Sequence, residues 1–419
     1  MRKMKDSCVE WIGEIPQKWV LKKIKNAAEY ISSGTTPASN NLDYYDGNIY
    51  WIQSGDIYGK TVIADTAVKV TELALKIPSL TFYIAPYIVM AMYGGSIGNT
   101  AISLIDACTN QACCCVKNNT ENNLHFMYYW LDMCKDIFLF QAEGGGQPNI
   151  SQTKIKNQYY VQPPLSEQEK IATYLDGKCS EIDALTADIK KQIETLEEYK
   201  RSVITEAVTK GLDPDVEMKD SGVEWIGDIP EKWRVSKIKF ETKQRNEKEF
   251  FAAEKDKYIG LENVVAYSNK LLETNTEYED SLQNVCYIND VMFNKLRPYL
   301  CKVIISEQKA FCTGEFIIFK SFSGDRRFLR YFMLNQGFIE IVNSSTFGAK
   351  MPRADPTFII NMPILIPPPQ EQQAISNYLD RKCDEIDGII KEKQQQLETL
   401  AEYKKSLIYE YVTGKKEVI

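Results

Sequence analysis

The sequence predicts an α+β protein built twice over. Two domains of mixed short strands and helices are separated by two long helices packed as an antiparallel coiled coil, with an internal pseudo-twofold repeat. Three observations carry this reading. Residues 6–25, DSCVEWIGEIPQKWVLKKIK, match residues 220–239, DSGVEWIGDIPEKWRVSKIK, without a gap. Residues 163–209, beginning PPLSEQEKIATYLDGKCSEIDAL, match residues 367–413, beginning PPPQEQQAISNYLDRKCDEIDGI. The stretches between, roughly 26–162 and 240–366, differ from each other. Long internal matches mark one structural plan used twice. The resulting segments are a first domain at 1–162, a helical spacer at 163–211, a linker and second domain at 212–366, and a second helical spacer at 367–419.

The opening motif repeats four tryptophans, Trp11 and Trp19 with Trp225 and Trp233. Repetition argues for packing at a junction between domain and helix, and against a role that has to differ between halves. The variable regions are rich in β-branched and aromatic residues broken by Gly, Pro and Asn. Phe82–Ala85, Ala112–Val116 and Glu315–Phe319 read as short strands, and His125–Phe140 and Arg326–Val342 as helices. Weak echoes survive between the regions. Trp51-Ile52 and Asp56-Ile57 can be laid on Tyr258-Ile259 and Asn263-Val264. Val89-Met90 through Ile102 can be laid on Val291-Met292 through Ile304. The stretches inside this second echo differ, with Tyr93-Gly94-Gly95-Ser96-Ile97-Gly98 in one half and Lys295-Leu296-Arg297-Pro298-Tyr299-Leu300 in the other. One fold carrying two surface chemistries is the simplest reading.

In the helical repeats, Ser166 with Glu169 forms a capping-box pattern after Pro163-Pro164. A break or bend is expected near Asp176-Gly177, because glycine disfavours helix interiors. The longer segment is expected from about Ser180 to Val208, stopped near Gly211. Its apolar stripe is Ile182, Leu185, Ile189, Leu196, Tyr199 and Val203, and the counterpart is Ile386, Ile389, Leu400, Tyr403 and Leu407. These are heptad stripes, imperfect in the middle at Gln192, Lys393 and Gln396. A single stripe could equally face an ordinary globular core. Two matching copies favour burial against one another. About 29 residues give a rod of roughly 43 Å, enough to hold two domains on neighbouring major-groove faces, roughly 34–36 Å apart.

Composition bounds the functional classes. The 419 residues are 44% hydrophobic and 26% charged, with a net charge of −7. That balance speaks against binding DNA through overall charge, though not against local basic surfaces. No apolar run approaches the roughly 20 residues of a membrane helix, and no signal-peptide core follows the first basic residues. A cytoplasmic protein is expected. The 11 cysteines and the single histidine, His125, lack the paired spacing of a disulfide framework or a metal site, so neither is expected. Cys113-Cys114-Cys115 read as small buried hydrophobes in a strand. No catalytic constellation emerges. Asn361-Met362-Pro363-Ile364 is not the NPP-aromatic motif of an adenine methyltransferase. Gly144-Gly145-Gly146 does not follow a strand and open a helix, and no Walker lysine loop is present. Pro214-Asp215 and Glu217-x-Lys219 are too compressed for their side chains to converge on a metal.

These pieces together resemble the specificity subunits of Type I restriction–modification enzymes. The resemblance rests on EWIGEIP and EWIGDIP, PPLSEQEKIATYLD and PPPQEQQAISNYLD, and the bridging GLDPDVEMKDSGVEWIG. Further pieces are SGTTPAS at 33–39, WIQSGDI at 51–57, MYGGSIG at 92–98, GGGQPNIS at 144–151 and NKLRPYLCKV at 294–303. It covers essentially the whole chain. The GGGQPNIS motif has no clear copy in the second half, where Thr346–Arg353 stands in its place, which suggests recognition domains of different subfamilies. The resemblance implies two target-recognition domains that each read one half of a split, asymmetric sequence in double-stranded DNA. It implies helices that set the unread spacer and dock two methyltransferase subunits. It implies a separate motor–nuclease restriction subunit. The chain itself is expected to hold no cofactor and to catalyse nothing. S-adenosylmethionine, ATP and magnesium are expected on the partner subunits.

Candidate DNA contacts in the first half are Thr35, Thr36, Tyr93, Ser96, Asn99, Gln147 and Asn149, on loops that could approach bases closely. In the second half they are Lys295, Arg297, Tyr299, Lys350 and Arg353. Arginine can grip guanine with two hydrogen bonds, and these side chains can also hold phosphate. The plainer alternative, solvated turns, stays open for each of them. Two other functional classes stay open as well: a self-contained DNA methyltransferase or nuclease, and a coiled-coil scaffold with no DNA role.

Overall fold

The first long helix runs unbroken from Leu165 to Lys210, 46 residues, and the second from Pro369 to Val412, 44 residues. The protein is seen here in a computed structural model that describes residues 2–274 and 276–418. The expected break at Gly177 is absent. Gly177 lies on the exposed side of its helix, and Leu175 and Cys179 on either side are buried. A glycine costs a helix interior only about 1 kcal/mol, less than the flanking apolar burial returns. Gly211, at φ +80°, marks the stop. The rod is accordingly longer than the sequence suggests, about 69 Å at 1.5 Å per residue.

The chain divides into two contact units, Met1–Asp188 with Gln395–Ile419, and Ile189–Gln394. Each unit holds part of both long helices. In the first unit, Lys404 donates to Asp183 at 2.6 Å, and the rings of Tyr174 and Tyr411 lie 4.6 Å apart. In the second unit, Lys200 donates to Asp387 at 2.7 Å, and Lys393 donates to Gln192 at 2.5 Å. As numbers rise along one helix they fall along the other, so the helices pack antiparallel in each unit.

The packed stripe differs from the expected one. Buried and half-buried positions run Leu175, Cys179, Ile182, Thr186, Ile189, Ile193, Leu196, Lys200, Val203 and Ala207. The steps alternate between four and three, the signature of a coiled-coil seam. The second helix repeats it through Ile386, Ile390, Leu397, Leu400 and Leu407, with Lys393 and Lys404 among them. Leu185, Tyr199, Ile389 and Tyr403 are exposed and lie beside this stripe. Thr186 and Lys200 are polar occupants of seam positions, so choosing the nearest apolar residue moves the stripe one place.

Each domain is tied to its long helix by the same device, which explains the repeated EQ and YLD motifs. Gln168 is fully buried. Its amide donates to the carbonyls of Pro163 at 2.9 Å and Glu121 at 3.2 Å, and its oxygen accepts from the Asn123 amide at 2.9 Å. Gln372 donates to Pro367 at 2.8 Å and accepts from the Asp325 amide at 3.0 Å. Asn123 and Asp325 are the N-caps of the domain helices Leu124–Met133 and Arg326–Leu334. Two helical turns further, Asp176 accepts from Tyr129 at 2.8 Å and contacts His125 at 2.9 Å. Asp380 accepts from Tyr331 at 2.7 Å and from Arg327 at 2.8 Å. Trp19 and Trp233 pack edge-on against Phe126 and Phe328 beside these clamps.

Each helix expected in a variable region is two. Lys135–Gln141 follows Leu124–Met133, and Gln336–Ser344 follows Arg326–Leu334. In the second case Asn335 turns extended, and its side chain accepts from the Phe338 amide and restarts the helix.

The strands form a main sheet in each domain. In the first the order is Ala28–Ser33, Cys113–Asn118, Tyr87–Ala91, Thr100–Ser103 and Val62–Ile63. In the second it is Lys243–Arg245, Phe316–Lys320, Val291–Asn294 and Val303–Ile305. A four-stranded sheet accompanies each. Cys113–Cys115 lie fully buried in their strand, and burial pushes the Cys114 thiol up to about 12, leaving it a protonated apolar group.

Candidate nucleic-acid interface

The seven candidates of the first domain come from separate segments, and the sheet gathers them at one end. Strand Ala28–Ser33 leads into Thr35 and Thr36 there, and strand Tyr87–Ala91 leads into Tyr93, Ser96 and Asn99. Antiparallel pairing of Cys114 with Ser33 and of Cys113 with Ala91 puts these exits side by side. The glycine-rich loop joins them because Asn149 forms β-bridges to both Tyr93 and Glu143. The Gly94 amide donates to Pro148 at 2.8 Å, and the Ile150 amide donates to Met92 at 2.9 Å. Gly144, at φ +109°, makes the turn that allows this.

The side chains at this end are neutral. Tyr93, Gln147 and Asn149 are exposed or half-exposed. The Ser96 hydroxyl donates to the Tyr93 carbonyl at 2.8 Å, and the Thr36 hydroxyl donates to Gln111 at 2.5 Å. Glu143 is neutralised by Lys154 at 2.6 Å. Gly34 sits so close to the neighbouring strand that an added Cβ would fall 1.8 Å from the Thr109 carbonyl oxygen. Gly34→Ala should therefore displace Thr35 and Thr36 and cost about 2 kcal/mol through overpacking, read as a lower unfolding midpoint. Unchanged stability would contradict the close approach.

The second domain builds the same frame from unrelated residues. Arg353 forms β-bridges to Leu296 and Phe347. The Arg297 amide donates to Pro352 at 2.7 Å, and the Ala354 amide donates to Lys295 at 2.9 Å. Gly348, at φ +98°, takes the role of Gly144. Short helices follow both loops, capped by Ser151 and Asp355. The bridges equate Asn149 with Arg353 and Tyr93 with Leu296. The sequence overlay sets Tyr93 against Lys295, one residue off, and the whole echo is displaced alike: Ile88 pairs with Ile102 as Val291 does with Ile305, and Ala91 with Cys113 as Asn294 does with Phe316. Thr346–Arg353 is thus the structural copy of the glycine-rich loop.

Here the chemistry is cationic. Arg297 adopts the left-handed conformation at φ +53°, a strained setting for a non-glycine residue. Its half-buried guanidinium is tethered to the loop, donating to the Lys350 carbonyl at 3.2 Å. The Lys295 and Lys350 amines enter no ion pair among the described residues, and Tyr299 is half exposed. Glu315, which sequence reading misses, holds Arg353 through two hydrogen bonds at 2.5 and 2.9 Å. Nothing in the local sequence flags Glu315, which lies 38 residues from its partner.

No helix among the described residues is long and apolar enough to cross a membrane. Comparison with known proteins places these features in a family. The sequence profile of the Type I restriction modification DNA specificity domain matches twice, at residues 16–195 and 218–399. The specificity subunit of the Type I restriction enzyme MjaVIII from Methanocaldococcus jannaschii is 25% identical over 422 residues, covering 96% of this chain and 94% of its own. Among solved structures, a chain from a study of complex assembly and conformational transition of the type I R-M system superposes with a TM-score of 0.70 at 12% identity. That match covers 95% of this chain and 98% of the other. The HsdS subunit from Thermoanaerobacter tengcongensis follows with a TM-score of 0.51 at 13% identity, covering 96% and 98%. These two likenesses speak to the fold, and the doubled profile to kinship: the chain belongs to the Type I restriction modification DNA specificity family, with two copies of its defining domain.

Proposed function

We propose that this chain is the sequence-reading subunit of a Type I restriction–modification complex, each domain reading one half of a bipartite, asymmetric site in double-stranded DNA. The observation that carries the reading is the doubled specificity domain, whose two copies present one backbone frame with different side chains. Neutral amides and a tyrosine face outward from the first, cations from the second. Side chains of these kinds hydrogen-bond base edges in the major groove, and unlike sets read unlike sequences. The acidic total charge is compatible with this, because phosphate affinity depends on local contacts.

In this reading the chain is non-catalytic and acts in the cytoplasm. The paired helices set the spacer and dock two methyltransferase subunits, and restriction subunits join the complex. S-adenosylmethionine, ATP and magnesium belong to those partners. The test exchanges residues 26–162 for the matching region of another such subunit. Sequencing of methylated DNA from cells carrying the hybrid complex should show one half of the site changed and the other kept. Identical methylation before and after the exchange would overturn the assignment.

A further inference from the structure

Arg353 and Glu315 carry an inference that rests on the reading above and goes one step further. Among the candidate cations Lys295, Arg297, Lys350 and Arg353, only Arg353 is both exposed and held by a carboxylate. Its side chain is 47% accessible and that of Glu315 is 23%. Arg297 is half-buried and bonds only a backbone carbonyl, and the Lys295 and Lys350 amines have no ion-pair partner among the described residues to aim them.

The geometry of the pair decides what it can do. A guanidinium has five N–H groups in a rigid plane. Glu315 accepts from Nε and Nη2, the pair on one edge. The end-on edge, Nη1 with the second proton of Nη2, is left over by this pairing. Two parallel N–H groups on that edge match the O6 and N7 acceptors of guanine. The carboxylate occupies one edge and thereby fixes the direction of the other. The equivalent place in the first domain lacks this device. Asn149 stands where Arg353 does, and backbone pairing sets Ala112 where Glu315 is, since the Met92 amide donates to Ala112 as the Lys295 amide donates to Glu315. The cation and its carboxylate are present together in one half and absent together in the other, as expected of a reader and its support.

The geometry points to Arg353 as a specificity-determining residue that reads one guanine in the half-site of the second domain, with Glu315 as the positioning residue that aims it. The test uses the full chain with its methyltransferase subunits and sequences the methylated sites. Arg353→Gln should relax selectivity for one guanine at least tenfold and leave every other position, including the opposite half-site, as it was. Glu315→Gln should relax the same position by less. Arg353→Lys keeps the charge and the backbone bridges but loses the fork, and should also relax that position; it serves as the arbiter if Arg353→Gln impairs folding. Retention of every base preference by Arg353→Lys would overturn the inference, as would a uniform weakening across all sequences, the mark of a phosphate contact. Both outcomes leave the domain-exchange result intact, so failure here is separable from failure of the broader assignment.

Discussion

Gln372→Leu should lose about 3 kcal/mol of stability, although the change nearly keeps the side chain's size and adds apolar surface. The side chain is 2% exposed and bonded at both ends of its amide, to the Pro367 carbonyl and the Asp325 amide. Leucine leaves both backbone groups buried and unpaired, at about 1–3 kcal/mol each. The Asp325 amide begins a domain helix, so the loss falls on the attachment of domain to rod. Gln168→Leu should cost as much in the first unit, where the Pro163 carbonyl and the Asn123 amide lose their side-chain partner and the Glu121 carbonyl keeps only the longer bond from Gln162 at 3.4 Å. The control stands two residues away: Gln370 is exposed, and Gln370→Leu should change stability by no more than about 0.5 kcal/mol. Urea unfolding with amide exchange at Asp325 reads the difference. Equal losses at positions 370 and 372 would rule the clamp out.

Asp387→Ala is expected to cost about 3 kcal/mol, because it strips a buried cation of its counterion. Lys200 occupies a seam position with a side chain only 7% exposed, and both Asp387 oxygens accept from its amine, at 2.7 and 2.9 Å. Removing one partner of such a pair is far more costly than removing both. Lys200→Met with Asp387→Leu should therefore recover most of the loss or exceed the parent. The repeated pair in the first unit behaves differently. Lys404 and Asp183 are 26% and 50% exposed, so Asp183→Ala should cost under about 1 kcal/mol. Denaturant midpoints of the three variants make the comparison. A loss at Asp183 equal to that at Asp387 would show that burial does not govern these pairs.

Much of the architecture is legible in the amino-acid sequence. Internal repetition announces both long helices, and Gly211 announces where the first one stops. The apolar stripe misplaces the seam because Lys200 and Thr186 hold seam positions by pairing or by being small enough to be half covered. Gly177 suggests a break because its intrinsic cost is visible in sequence and the compensating burial of Leu175 and Cys179 is not. At the candidate interface, composition marks the loops, and the sheet explains why distant segments meet. The buried glutamines escape notice because a polar residue in a polar string shows no sign of burial, and Glu315 because partners that meet through a sheet leave no spacing to read.

The bridging frame at the sheet end has a further consequence. GGGQPN and FGAKMPR share almost no chemistry, yet both are held by the same backbone bonds, with a left-handed glycine near the start and a proline one residue before the bridge. The scaffold thus draws its rigidity from peptide groups and asks little of the outward side chains. A lineage can replace those side chains one at a time without passing through an unfolded ancestor, much as a printer changes letters in a fixed tray.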